Sequence, residues 1–143
     1  MVKFPDDIHP ALLERLATAE GGPLVARMGI ELLEVSAARS LARMPVEGNT
    51  QTVGILHGGA QLVLGETLGS LSSAVHGGPS KVPVGIEIGA SHSRSVDAGW
   101  VTATCIAISL GRTLCTHEIA IDDEQGRRLS TVRMTNYLKD LRP

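Results

Sequence analysis

The stretch QTVGILHGGAQLVLGETLGSLSSAVH, Gln51–His76, decides how the chain is read. From Gly58 onward, Leu62, Val63, Leu64, Leu68, Leu71, Ala74 and Val75 recur at spacings that keep one broad side of a helix apolar. The segment is also rich in Gly, Ala and Ser, which suits a rod closely wrapped by other backbone. Gly58-Gly59 at its start leaves backbone N–H groups bare, and a helix N-terminus is a ready site for an oxygen of partial negative charge. Eight residues beyond Gly58, in the apolar middle, stands Glu66, with Ser70 one turn further on the same face. A carboxylate placed there costs free energy unless it is paired, hydrogen-bonded or protonated.

The flanking sequence fits around that helix. Pro10–Ala19 reads as a short helix, with Pro10 at its first position, a Leu12, Leu13 and Leu16 stripe, and Gly21-Gly22 as its stop. Pro23–Met28 adds a turn or two. Gly29–Val35 and Ala38–Val46 read as strands, and Glu47–Thr50 as the loop into the central helix. Gly77–Ser80 ends that helix. In the next strand Val82, Val84, Ile86, Ile88 and Ala90 alternate with smaller or polar residues, and the same period puts His92 and Arg94 on the apolar face, with Gly89 a place for a bulge. Trp100–Leu110 and Thr113–Ile121 form a hairpin turning near Gly111-Arg112, and Arg128–Leu138 is the last strand. The order predicts an α+β domain, an antiparallel sheet curled around a central helix.

Composition narrows the class. The 143 residues make one domain, 1–143, whose first 28 residues are a helical lead-in. Hydrophobic residues make up 43%, yet there is one each of Phe, Trp and Tyr, so the core must be aliphatic. A net charge of −2 argues against general nucleic-acid binding, and any phosphate must meet a few local Arg or Lys residues. Cys105 and Cys115 have no CxxC spacing and read as free thiols in a reducing cytoplasm. The N-terminus is not a signal peptide, and no stretch reaches the ~18–20 apolar residues of a membrane span. His9, His57, His76, His92 and His117 show no close pairing, so no metal is expected. Neither a GxxxxGK[ST] loop nor a GxSxG elbow is present.

A Gln six residues before His-Gly-Gly, a Glu nine after that His, a Ser four later and His92 within VGIEIGASHSRS together resemble the hotdog-fold acyl-CoA thioesterases. The resemblance runs from Gly29 to Tyr137 and is to the PaaI-like group, closest to its aryl-CoA branch. It implies the hotdog topology and hydrolysis of an acyl-CoA, of aryl or hydroxybenzoyl type, to carboxylic acid and CoA without metal or redox cofactor. Two other readings stay open: a hotdog hydratase or dehydratase, whose His-Phe-Pro or Asp-to-His signature is absent, and an acyl-CoA sensor without hydrolysis.

Each site residue has two readings. Glu66 is either tied by hydrogen bonds inside a helix interface or, as the resemblance implies, the base or nucleophile, made reactive by poor solvation in an apolar pocket. Gly58 either permits close packing or offers its N–H to the thioester oxyanion. Gln51 is either a solvated loop residue or a second donor to that carbonyl, and His57 either caps the helix or joins the same site. By resemblance, Ser70 belongs to the catalytic set and His92 contacts the acyl ring or the attacking water; by itself His92 is a core histidine. Arg94 and Arg112 are candidates for the CoA phosphates, against the alternative of exposed arginines. The resemblance adds Gly85, Ser95, Ser109, Gly111 and Thr113 to the CoA channel.

Geometry also predicts assembly. Gly58 and Glu66 lie ~12 Å apart along one helix, too far to meet at one thioester carbon. The expectation is a two-fold dimer with shared sites, and the resemblance implies that these dimers pair into tetramers.

Overall fold

The structure, a computed structural model, describes residues 1–142. Its elements are α1 (Pro10–Ala19), α2 (Pro23–Arg27), β1 (Glu31–Glu34), β2 (Arg39–Pro45), α3 (Gly58–Gly77), β3 (Lys81–His92), β4 (Trp100–Leu110), β5 (Leu114–Asp122) and β6 (Arg128–Asp140). The strands form one antiparallel sheet in the order β1-β2-β4-β5-β6-β3, and α3 packs against β2 through β6. The hairpin strands stay neighbours, but β3 crosses to the far edge beside β6 and β2 joins β4. This is the α+β hotdog architecture expected of the chain.

Small residues let α3 approach the sheet. A Cβ on Gly65 would lie 2.9 Å from Val132 Cγ1, and one on Gly69 would lie 2.8 Å from Met134 Cγ. Leu64 and Leu68 are fully buried on the same side, in one core with Val101, Ala103, Ile119 and Ile121. Each such leucine contributes about 1.5–3 kcal/mol by leaving water. The apolar side is narrower than the sequence predicts, because Leu62, Val63, Leu71 and Val75 are only half-buried. Glycine ends the helix: Gly78 takes φ 74°, and its N–H returns to the Ala74 carbonyl at 3.0 Å.

Serines carry a buried polar seam between α3 and the sheet. Ser40 Oγ lies 2.7 Å from Ser72 Oγ, and Ser72 Oγ lies 3.6 Å from Cys105 Sγ. Burial pushes the Cys105 thiol up to about 11, against the pull of its Ser72 hydrogen bond. Both cysteines are free and buried.

The phase of β3 departs from the expected alternation. The register slips between Gly85 and Glu87, not at Gly89, so Ile86 is the extra residue. Ile88 and Ala90 pack on the core as expected, but Val84 and Ile86 are 42% and 58% exposed. Gly85 takes the inward place instead, because a Cβ there would lie 3.3 Å from Glu66 Oε1. Beyond the slip the His92 ring lies over Gly58, but in the chain by itself His92 is exposed and is not a core histidine; Arg94, past the strand end, is exposed as well. At the other edge, the Lys3 N–H donates to the Leu33 carbonyl at 3.0 Å and the N-terminal segment covers β1. Among the described residues no strand pairs with the outer edge of β3, and at the start of that strand the Lys81 carbonyl accepts Arg15 Nη2 at 3.0 Å. No helix among them is long and apolar enough to cross a membrane.

Candidate active site

The start of α3 is built by His57. Its backbone is extended (φ −66°, ψ 131°), and its Nδ1 accepts the Gly59 N–H at 2.8 Å. A backbone N–H only donates, so neutral His57 carries its proton on Nε2. The His57 carbonyl takes the Ala60 N–H at 3.0 Å, while the Gly58 N–H has no partner among the described residues. The capping reading of His57 is thus seen directly, and it leaves Gly58 as the bare donor. Gln51 is fixed nearby by a tight turn, its N–H donating to the Ile55 carbonyl at 2.8 Å.

A cavity of about 570 Å³ opens at this helix end, bordered by Gln51, His57, Gly58, Gln61, His92 and Arg94, with Ser95 at its side. None of its lining residues is acidic. The end of β3 brings His92 over the first turn of α3, where a Cβ on Gly58 would lie 2.7 Å from His92 Nε2. Ser130 Oγ on β6 lies 3.0 Å from the other ring nitrogen, Nδ1. Gln61 is 4% exposed, and its Oε1 has no partner among the described residues.

Glu66 and Ser70 stand in a second group, further along α3. In the chain by itself Glu66 is exposed, which corrects the expectation of a poorly solvated carboxylate. The helix presents position 66 at the flank beside Gly85, not over the sheet, so solvent reaches it. Glu66 borders a cavity of about 240 Å³ with Gly85, Ile86 and Met134. It borders another of about 330 Å³ with Leu24, Val25, Val63 and Ser70. Ser70 donates to Asn136 Oδ1 at 3.4 Å, and Asn136 Nδ2 donates to Ser73 Oγ at 3.1 Å. With its proton so committed, Ser70 offers lone pairs to anything approaching from outside.

The candidate CoA residues fall into three places. Arg94 and Ser95 belong with Gly58, and Gly85 with Glu66. Ser109 near the end of β4 and Gly111, Arg112 and Thr113 in the β4–β5 turn lie at the other end of α3, where His76 Nε2 meets the Gly111 carbonyl at 2.8 Å. Gly111 is required there because a Cβ would lie 2.8 Å from the Leu114 carbonyl oxygen. A 20-residue helix is ~30 Å long, so Arg94 and Arg112 do not share one site within a chain.

Ser130, Asn136 and Gln61 escaped the sequence reading. Ser130 and Asn136 do carry a signal, since both are polar on the inward phase of β6 shared by Val132, Met134 and Leu138. A larger cavity, about 820 Å³, lies elsewhere, between the N-terminal segment and β1; Phe4, Ile8, Leu13, Leu32 and Val35 make it apolar, and it holds none of the candidate residues.

Residues 53–130 match the thioesterase superfamily. The chain is 43% identical over 124 residues to the proofreading thioesterase EntH of Cronobacter turicensis, covering 86% of this chain and 90% of that protein. It is 41% identical over 127 residues to the EntH of Cronobacter sakazakii, covering 88% and 93%. The crystal structure of a thioesterase from Haemophilus influenzae superposes with a TM-score of 0.84 at 34% identity, over 92% of each chain.

Proposed function

We propose a mechanism for a chain that belongs to the thioesterase superfamily and is a hotdog-fold thioester hydrolase: water cleaves an acyl-CoA at a site shared between two copies. One observation carries this reading. Gly58 and Glu66 sit eight residues apart on one continuous helix and border different cavities. The donors of one copy therefore have to meet the carboxylate of another. The unpaired edge of β3, which carries exposed Val84 and Ile86 beside Glu66, gives the second copy a place to add. Glu66 would then be covered by the assembly, and pairs of such dimers would form the tetramer.

In this site the Gly58 N–H and the Gln51 amide hold the thioester carbonyl oxygen as charge develops on it. A water is gripped by two acceptors, the Glu66 carboxylate and the Ser70 lone pairs, which turns its own lone pair toward the carbonyl carbon. Glu66 takes the proton as the water oxygen bonds to carbon, the C–S bond breaks, and the proton passes to the CoA thiolate. Arg94 of one copy and Arg112 of another are suited to the CoA phosphates. No metal or redox cofactor enters this chemistry. The Glu66, Ser70 and His92 pattern favours an aryl acyl group, and the two buried free cysteines fit a reducing cytoplasm.

The test is free-thiol release from benzoyl-, hydroxybenzoyl- and hexanoyl-CoA. The aryl esters should show the higher kcat/KM, and Glu66→Gln should lower kcat by at least ~100-fold without loss of fold. Turnover within about threefold of wild type would return Glu66 to a structural role. A hexanoyl preference unchanged in His92→Ala would remove the aryl assignment and keep the hydrolase.

A further inference from the structure

Ser130 lies opposite His92 in the β3–β6 register and is fully buried. Its hydroxyl meets His92 Nδ1 at 3.0 Å and no other acceptor among the described residues. Two proton arrangements satisfy that distance. If Nδ1 carries the proton and donates, the hydrogen of Ser130 is left in the core without an acceptor, which costs free energy. If Ser130 donates to a bare Nδ1, both groups are satisfied and the imidazole proton resides on Nε2. The second arrangement is the cheaper one. It places an N–H on the ring atom that approaches Gly58.

We propose that Ser130 is a positioning residue that fixes His92 as an Nε2–H donor toward a substrate oxygen. The cavity at the start of α3 then presents the Gly58 N–H and a donor from every charged or histidine residue that borders it: His57 Nε2–H, His92 Nε2–H and the Arg94 guanidinium. What His92 takes is an oxygen acceptor, either the reacting carbonyl or an oxygen substituent on the acyl group. The identity of that ligand rests on the thioesterase mechanism above, whereas the placement of the proton does not.

Long-range proton–nitrogen NMR of the ¹⁵N-labelled resting protein reads the tautomer directly, with His92 assigned by its loss in His92→Gln. The expected spectrum shows a protonated Nε2 and a bare Nδ1. A protonated Nδ1 overturns the inference, and that outcome does not depend on any Ser130 variant folding. Ser130→Ala should give a mixture of tautomers, and Ser130→Thr should restore the single form. In hydrolysis, Ser130→Ala should lower kcat/KM about tenfold. An equal loss on benzoyl- and hydroxybenzoyl-CoA assigns the bond to the carbonyl, and a loss on hydroxybenzoyl-CoA alone assigns it to the substituent. No loss on either ester overturns the role of Ser130 in the site. Should the wild type show the Nε2 tautomer yet cleave no thioester, the mechanism fails and the proton placement stands.

Discussion

Gly58→Ala separates the chemistry of the helix start from its stability. Gly58 lies outside the left-handed φ region, so its backbone accepts alanine, and the bare N–H is kept. The new methyl would lie 2.7 Å from His92 Nε2, 3.2 Å from Cδ2 and 3.4 Å from Cε1. Carbon contacts settle near ~3.5–4 Å, so the ring must retreat by close to ~1 Å. Ser130 and the end of β3 hold that ring, so the retreat breaks its alignment. A misplacement of ~1 Å costs up to ~100-fold in rate, and we expect kcat/KM to fall ~10–100-fold. Alanine is the better helix former by up to ~1 kcal/mol, which offsets part of the ~1–3 kcal/mol that a loosened Ser130–His92 hydrogen bond costs, so Tm should move by only a few degrees. The assay is thiol release on hydroxybenzoyl-CoA beside thermal unfolding. Activity within about threefold of wild type would refute the reasoning, since the displaced ring would then not matter. A second arm isolates the cause: in a His92→Ala background the added Gly58→Ala should cost little, because no ring is left to collide with.

Gly69→Ala should destabilise by ~1–3 kcal/mol through overpacking against Met134 Cγ, 2.8 Å from the added methyl, and an unchanged Tm would show that the α3–β6 contact is looser than that distance implies. Burial holds the His117 imidazole below its ordinary range, the hydrogen bond to the Ala37 carbonyl opposes that, and the charge of His76 adds to it. Below about pH 6.5 the unfolded chain binds a proton that the folded chain refuses; this contribution is therefore present above that pH and lost as pH falls, and His117→Gln should flatten the fall in Tm on acidification. Co-refolding Glu66→Gln with Gln51→Ala chains should raise activity above either parent, toward about a quarter of wild type for random pairing; a purified mixed dimer without recovery would sink the shared site.

Local signals were legible where they were complete within a few residues. Pro10 and Gly21-Gly22 bracket α1, and Gly58 and Gly77-Gly78 bracket α3, so both helices fall where the sequence places them. The strand edges differ from the expected ones by a residue or two. Strand order did not follow from the sequence, because the pairing of β3 with β6 depends on contacts some 50 residues apart. The site divided in the same way. Gln51, His57, Gly58 and His92, which the resemblance assigns to the catalytic set, border one cavity, while Ser130 and Asn136 gain meaning only from the partners that the sheet brings to them. The solvation of Glu66 was misread because helical periodicity places a residue on a face without saying what covers that face.

The slip at Ile86 explains why Glu66 is reachable at all. Had the alternation run unbroken through Val84, Ile86 and Ile88, branched side chains would stand against the flank of α3 and close over the carboxylate. With one residue looped out, Gly85 takes the inward place opposite Asn136, and its missing side chain leaves the cavity of about 240 Å³ that Glu66 borders. The same slip leaves Val84 and Ile86 exposed on the strand whose outer edge pairs with no other strand among the described residues. A single irregularity thus opens the carboxylate and gives the adjoining sheet edge apolar groups that a second copy would bury. In the shared-site mechanism these two effects belong together: the copy that covers the edge is the one that delivers Gly58 and its donors to Glu66.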